Sequence, residues 1–380
     1  MNRNFIFDRF PFLEKEIAWI NIVKEPTSVH SLDKIGTRWG HRSLAVKRED
    51  ETDAVYGGNK VRNLEFVIGE ALARNCKGLV TVVPYGSNFT AALAAQAEKH
   101  GLELLLAQFT VFRNEQIDAT ARFCALRGAR LRTFPGKPGA VAAGLAAAYR
   151  MTARRLTKDR AYWITPGASN VLGALGHANA LLELAAQIER GEAREPDYIV
   201  VGSGTCGTTA GLLAGIAVSG MRTRLIGIQC ADPIVCNRRR IVAICNATLA
   251  KLRSPLRIDE NAFQLERSPE NIGYAIPIPE AVEVMAEFSD CEGMILDTTY
   301  TSKVALWLKQ NLARGEFVAR NVLYWHTFTP AALVACGDLT RMPWATSLLS
   351  AASDARSGPR AAGTLNGSTS GVLSSFARQG

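Results

Sequence analysis

Metal-ligand patterns are missing from this sequence. Its eight cysteines (Cys76, Cys124, Cys206, Cys230, Cys236, Cys245, Cys291 and Cys336) contain no Cys-x-x-Cys pair and share no ligand spacing with the five histidines. That argues against a zinc module, and no metal is expected. It leaves reduced, buried thiols, the usual state of cysteine in a cytoplasmic protein. No run approaches the roughly eighteen apolar residues a membrane span needs. The opening MNRNFIFDRFPFLEKE carries charge throughout, so neither a membrane partner nor a secretory signal is expected. Acidic residues are the scarcer sign, 35 against 44 basic, for a net charge of +9. The surplus is dispersed, and the compact basic run is Arg238-Arg239-Arg240. A basic surface and an anionic cofactor explain it as well as nucleic acid does, and no nucleic-acid partner is expected. There is no internal repeat.

Hydrophobic residues make up 47% of the 380, enough for a sizeable core in two domains or one large unit. From about 56 to 230, short apolar runs alternate with helical stretches. Strands are expected at 78–84, 102–109, 129–134, 161–165, 198–204 and 224–230. Helices are expected between them, at 88–101, 114–127, 139–157, about 169–190 and 208–219. Crossovers of that length imply parallel sheets covered on both faces, with ligands where strands end and helices begin. The segment 251–297, with Pro255, Pro269, Pro277 and Pro279, reads as less regular; 321–327 reads as one more strand. Beyond about 338 the chain turns to Ser, Gly and Ala and reads as a disordered tail.

Four stretches carry chemistry. In VYGGNKVRNLEF (55–66) a lysine, Lys60, follows Gly57, Gly58 and Asn59 and opens a helix. A cation is disfavoured in a first turn, which suits an amine nucleophile; a solvated lysine is the ordinary alternative. In YGSNFT (85–90), Ser87 and Asn88 stand at a helix start, where capping is the common role. In VVGSGTCGTTAG (200–211) a strand runs into Gly202, Gly204 and Gly207, interleaved with hydroxyls. Converging N–H groups at a helix N-terminus suit a phosphate. No Gly-Lys-Ser/Thr follows, and it is not read as a dinucleotide fingerprint; a tight turn without ligand remains open. LDTTYTSK (296–303) and YWHTFTP (324–330) put hydroxyls beside element ends.

In this order the stretches resemble the pyridoxal-phosphate enzymes of fold type II, and within them the D-cysteine desulfhydrase and 1-aminocyclopropane-1-carboxylate deaminase family. The resemblance spans about residues 12–335, with GGNKVRNLEF its most specific part. It implies a two-domain α/β fold like the tryptophan synthase β chain, with parallel or mixed sheets covered by helices and pyridoxal 5'-phosphate in the interdomain cleft. The large domain would comprise 1–55 and 166–337, the small one 56–165, with a tail from 338 to 380. Lys60 would capture the cofactor aldehyde and act as base. Asn88 would meet the ring hydroxyl, and the backbone of Gly204, Thr205, Cys206, Gly207 and Thr208 the phosphate. Thr301 or Thr327 would stand near the pyridine nitrogen. Ser87 would receive the substrate carboxylate, and Tyr300 would be a second acid or base, or a wall.

The chain departs from the family at several places. Gly86 and Phe89 flank Ser87-Asn88 where Gln, and His or Gln, are usual; Phe328 and Thr329 replace two glycines. Cys206 replaces a small residue. Thr301 stands where ring-opening deaminases carry a glutamate. The expected activity is therefore β-elimination from a small, D-cysteine-like amino acid, giving a keto acid and ammonia. The alternatives are β-replacement in a biosynthetic pathway, 1-aminocyclopropane-1-carboxylate deamination, or a cofactor-binding relative with little turnover. A cytoplasmic homodimer is expected.

Overall fold

The structure, a computed structural model, describes residues 4–110, 112–134, 161–269 and 274–337. The helix expected over 139–157 and the tail from 338 lie outside the described residues. Among the described residues, ten strands form two sheets. They are β1 (Val29–Ser31), β2 (Leu44–Arg48), β3 (Gly78–Pro84), β4 (Glu103–Phe109), β5 (Arg130–Phe134), β6 (Ala161–Ile164), β7 (Tyr198–Ser203), β8 (Arg224–Gln229), β9 (Gln264–Arg267) and β10 (Val322–His326). The smaller sheet has the order β5-β4-β3-β6 and is parallel throughout. The larger has the order β1-β2-β10-β7-β8-β9, with only β1 antiparallel to its neighbour.

The helices are α1 (Phe5–Arg9), α2 (Asp33–Arg38), α3 (Lys60–Ala73), α4 (Asn88–Lys99), α5 (Glu115–Leu126), α6 (Val171–Glu189), α7 (Gly207–Ser219), α8 (Arg238–Lys251), α9 (Pro279–Glu292), α10 (Thr301–Ala313) and α11 (Ala331–Ala335). The period of two in the central strands divides the large sheet's core. Val201, Leu225, Leu323 and Trp325 face one cluster with Leu181 and Leu212 of α6 and α7. Val46, Val200, Ile226 and Tyr324 face the other, with Phe288 and Leu308 of α9 and α10. Both faces being covered, the strands read as continuous apolar runs. A third cluster joins α3, α4 and α5 to the small sheet through Leu64, Leu79, Leu93 and Phe123. Among the described residues one helix, α6, is long and apolar enough to cross a membrane, but 72% of its apolar window is buried in the protein.

The irregular reading of 251–297 is only partly correct. It holds a strand, β9, and the fourteen-residue helix α9. Pro279 is the first residue of that helix, where its missing N–H costs nothing and its fixed φ favours helix. Pro279, one of the four prolines of the segment read as less regular, starts a helix. The short strands β1 and β2 near the N-terminus were also not foreseen.

A buried ionic cluster fixes α3. Arg62, 1% exposed, donates Nη1 to Glu183 Oε2 at 2.7 Å and Nη2 to Glu49 Oε1 at 2.8 Å. Lys47 Nζ reaches Glu183 Oε1 at 2.6 Å and Gln187 Oε1 at 2.8 Å. Burial alone would raise Glu183, but Arg62 and Lys47 pull it down to about 2. The first turn of α3 is thereby tied to β2, to the turn after it and to α6. One turn on, Glu65 Oε1 accepts the N–H groups of Ile22 and Val23, each at 3.0 Å.

Candidate active site

Lys60 opens α3 after a loop that no other residue type would trace in the same way. Gly58 has φ +95°, and a Cβ there would lie 2.9 Å from the Thr327 carbonyl oxygen. The Asn59 N–H donates to that carbonyl at 3.3 Å, and Gly58 N–H to the Glu49 carbonyl at 2.9 Å. Asn59 precedes the helix without capping it. Its amide Nδ2 instead donates to Thr208 Oγ1 at 2.8 Å, and Lys60 Nζ reaches the same oxygen at 3.2 Å. His177 Nε2 is 3.1 Å from it on the other side. Burial brings the Lys60 amine down to about 8 and holds His177 well below its usual value, which keeps the imidazole neutral.

Thr208 belongs to the turn between β7 and α7. Cys206, just before the helix, adopts a left-handed backbone at φ 75°. Ser169 Oγ lies 2.6 Å from Thr205 Oγ1 and 3.3 Å from Gly207 N, closing one side of the turn. A Cβ on Gly204 would come within 2.8 Å of the Tyr300 hydroxyl, so only glycine lets this turn and Tyr300 approach. Gly202, Gly204 and Gly207 do spell the Gly-x-Gly-x-x-Gly dinucleotide pattern. But β8 ends in neutral Gln229, where such a fold places a ribose-binding acid.

The third part comes from the small sheet. Ser87 precedes α4 without making a side-chain cap. Its hydroxyl instead stands beside the Tyr274 hydroxyl, which stands in turn beside that of Tyr300, close enough for each to shift the next. The two rings meet edge to face at 5.9 Å. Burial pushes Tyr274 up to about 12, and burial together with Tyr274 pushes Tyr300 well above the usual phenol value. Asn88 Nδ2 donates to Asp297 Oδ2 at 3.0 Å.

Asp297 organises the start of α10. Its Oδ1 accepts the N–H of Tyr300 at 3.1 Å and of Thr301 at 2.6 Å, and the Thr301 hydroxyl at 2.6 Å. Thr301 Oγ1 in turn accepts the Asp297 N–H at 2.6 Å. Thr327 contributes its carbonyl to the Gly58-Asn59 turn, and its hydroxyl has no partner among the described residues. The ends of β3, β7 and β10 and the starts of α3, α4, α7 and α10 thus converge, where open parallel sheets bind ligands. Three non-glycine residues with φ above +45°, Ala168, Cys206 and Ala275, lie in or beside this ring; such strain concentrates at ligand clamps. A separate cleft of about 210 Å³, lined by Phe5, Trp19, Glu65 and Glu183 among others, includes none of these groups.

Comparison with known proteins gives the family. The family described as "Pyridoxal-phosphate dependent enzyme" matches residues 20–327. The chain belongs to the pyridoxal-phosphate-dependent enzymes. It is 30% identical over 313 residues, 81% of this chain and 95% of the relative, to a Thermotoga maritima protein provisionally named as a 1-aminocyclopropane-1-carboxylate deaminase. It is 30% identical over 332 residues, 86% of this chain and 96% of the relative, to a D-cysteine desulfhydrase of Klebsiella pneumoniae. A solved ACC deaminase homologue superposes with a TM-score of 0.75 over 88% of this chain and 98% of its own, at 24% identity, which bears on the fold.

Pyridoxal 5'-phosphate is the cofactor of this family, and the residues present fit it. The depressed amine of Lys60 suits its aldehyde, and the glycine cradle of 204–208 at the start of α7 suits its phosphate. Sequence reasoning did not name Tyr274, Asp297, Ser169 or His177. Tyr274 and His177 carry no local pattern. Asp297, four residues before Thr301, had the signature of an Asx cap. The departures Phe89 and Phe328 are core residues, 2% and 4% exposed. Phe89 packs with Leu93 and Phe123, and Phe328 with Ala119 and Leu333.

Proposed function

We propose that this pyridoxal-phosphate enzyme is a β-eliminating lyase acting on a small amino acid of the D-cysteine type and releasing a keto acid, ammonia and the β-substituent. The observation that carries this reading is Lys60 with its amine near 8, held at Thr208 beside the phosphate turn. The names of the relatives support it. The cofactor supplies the electron sink that makes the Cα proton removable.

The chain's own groups do the rest. With pyridoxal 5'-phosphate bound, the Lys60 amine would be close to the ideal basicity for taking a Cα proton at neutral pH. The Ser87 hydroxyl, 8% exposed and linked to Tyr274, orients the substrate carboxylate. Tyr300 keeps its proton well above the pH at which a free thiol ionises. It therefore donates a hydrogen bond to a departing thiolate rather than protonating it. The Lys60 ammonium, near 8, is matched to return the proton to that thiolate. The backbone N–H groups of Gly204, Thr205, Cys206, Gly207 and Thr208 would hold the phosphate, and Asn88 the ring hydroxyl. With Thr301 in place of a glutamate, cyclopropane ring opening lacks its ring-nitrogen carboxylate.

The two sheets are proposed as cores of two domains, 56–165 and 1–55 with 166–337, with the cofactor between them. Asn88 to Asp297 and Lys60 to Thr208 would be contacts across the cleft. A cytoplasmic location is proposed because all eight cysteines are free. A homodimer is proposed from the family resemblance and is checked by sedimentation. A panel of D- and L-amino acids, scored for keto acid and ammonia, tests the activity. D-Cysteine should give the largest signal and 1-aminocyclopropane-1-carboxylate none. Product that appears only when a second thiol or amine is added would replace elimination by β-replacement.

A further inference from the structure

Two thiols meet behind the phosphate turn. Cys206 sits in that turn, and Cys236 sits in the bend before α8. Each thiol lies against the chain neighbours of the other, and each shifts the other's ionisation. The surrounding contacts interlock them. Cys206 Sγ lies 3.6 Å from the Val235 carbonyl and 3.9 Å from that of Asn237, the two neighbours of Cys236. Cys236 Sγ lies 3.4 Å from the carbonyl and 3.3 Å from the hydroxyl of Ser203, three residues before Cys206.

We infer that Cys206 and Cys236 are a modification site, an oxidisable pair that closes to an intramolecular disulfide and in doing so loosens the cofactor phosphate. The inference rests on the reading of 204–208 as the phosphate cradle. Both cysteines stand outside helices and strands, where backbone adjustment is cheapest, and Cys206 already holds a left-handed conformation that few side chains adopt. Pulling its Cβ towards Cys236 rotates one of the peptide groups that face the phosphate.

Cys206 is unlike the other buried cysteines, whereas Cys236 is itself raised by Cys206 and by burial and is the resolving thiol, not the attacking one. Burial pushes Cys124, Cys230 and Cys245 up to about 12, which makes them inert. Cys206 moves the other way, lowered first by the Cys236 side chain and further by the Asn237 backbone and the Arg240 guanidinium. Arg240 Nε is itself buried without a partner. Cys206 also sits at the N-terminus of α7, a place that favours thiolate. The turn over the pair is exposed at Ile234, 85% accessible, while the two thiols lie beneath it at 1% and 0% exposure, so oxidation requires that turn to open.

With hydrogen peroxide as oxidant the balance is simple. The Cys206 thiolate attacks one peroxide oxygen, breaking the O–O bond to give a sulfenic acid and hydroxide, which takes up a proton to become water. The Cys236 sulfur then attacks the sulfenic sulfur and expels a second water. Two thiols lose two electrons and two protons, and one peroxide becomes two waters.

The test uses the full chain with and without pyridoxal 5'-phosphate. After peroxide, peptide mapping without reductant should find Cys206 joined to Cys236. Absorbance titration should show cofactor affinity reduced at least about tenfold, the effect of losing one charge-assisted hydrogen bond, and dithiothreitol should restore it. By reciprocity the bound cofactor should then raise the pair's reduction potential by about 30 mV for that tenfold. Cys236→Ser, or Cys236→Ala if the serine variant fails to fold, should bind cofactor normally and lose the peroxide effect. The inference is overturned if both thiols remain alkylatable after peroxide, or if the disulfide forms and affinity is unchanged. Failure of the phosphate reading itself would show separately, as untreated Gly204→Ala binding cofactor as tightly as the native chain.

Discussion

Lys60 offers the sharpest test, because its chemistry is set by where the fold puts it. Burial lowers its amine from 10.5 to about 8. At pH 7 about 9% of such an amine is neutral and able to attack an aldehyde, against roughly 0.03% for an ordinary lysine, an advantage of about 300-fold. Between pH 7 and 9 the neutral fraction rises only about tenfold and then levels, whereas an ordinary lysine gains about a hundredfold and keeps climbing. Stopped-flow absorbance of the cofactor-free chain mixed with pyridoxal 5'-phosphate reads this directly. The capture rate should show a single apparent pKa near 8. Borohydride should then fix the cofactor on the peptide that contains Lys60. A rate that climbs about a hundredfold across that range without a plateau would refute the argument, and so would label on buried Lys303. The same shift has a sign for stability. The unfolded lysine holds its proton up to about 10.5 and the folded one only to about 8, so stability should rise with pH between those values.

Three further outcomes follow from the structure and the sequence. Arg62→Met should lower unfolding free energy by about 3–5 kcal/mol in urea, because it leaves Glu49 and Glu183 buried without their shared cation. Glu183 is depressed to about 2, so its share of stability is present above about pH 4.5 and should fade as pH falls towards 2, a slope that Arg62→Met should reduce but not abolish, because Lys47 still pairs with Glu183. Tyr274→Phe removes the link between Ser87 and Tyr300. It should raise KM and lower kcat together by about ten- to a hundredfold while cofactor absorbance stays intact; unchanged kinetics would remove Tyr274 from the site. Truncation after residue 338 should leave cofactor binding and Tm nearly unchanged, since that segment lacks a core-forming pattern; a large loss of either would mean it docks on the body.

The fold was legible wherever apolar periodicity was strong. β3, β4, β7 and β8 stand within a residue or two of where the short apolar runs place them, because strands buried on both faces are written as runs of Val, Ile and Leu. The N-terminal pair β1 and β2 went unread because β1 is a three-residue, mostly exposed edge strand with no alternation to find. The site was legible at its glycines and its lysine, where backbone geometry restricts the residue type. It was not legible at Tyr274 or His177. Tyr274 is brought to Ser87 and Tyr300 by the chain's return through α9 and α10, and His177 sits on α6 like any core residue. Local sequence holds no record of contacts between residues nearly 190 positions apart.

The two threonines proposed for the pyridine nitrogen are separated by their hydrogen bonds. A hydroxyl has one hydrogen, and that of Thr301 is given to Asp297 Oδ1 at 2.6 Å, while its oxygen accepts the Asp297 N–H. Thr301, 1% exposed, therefore closes the cap of α10 and has no hydrogen left for a ring nitrogen. Thr327 is half-buried, stands beside the Gly58-Asn59 turn, and has a hydroxyl with no partner among the described residues. We expect the roles to part on mutation. Thr301→Val should cost about 1.5–3 kcal/mol of stability, the worth of a hydrogen bond to a charged group, and leave the cofactor's absorbance maximum in place. Thr327→Val should leave Tm almost unchanged and shift that maximum, because the ring nitrogen loses its donor. The reverse pattern, a spectral shift with Thr301→Val and none with Thr327→Val, would return the ring to Thr301 and require Asp297 to release that hydroxyl when the cofactor binds.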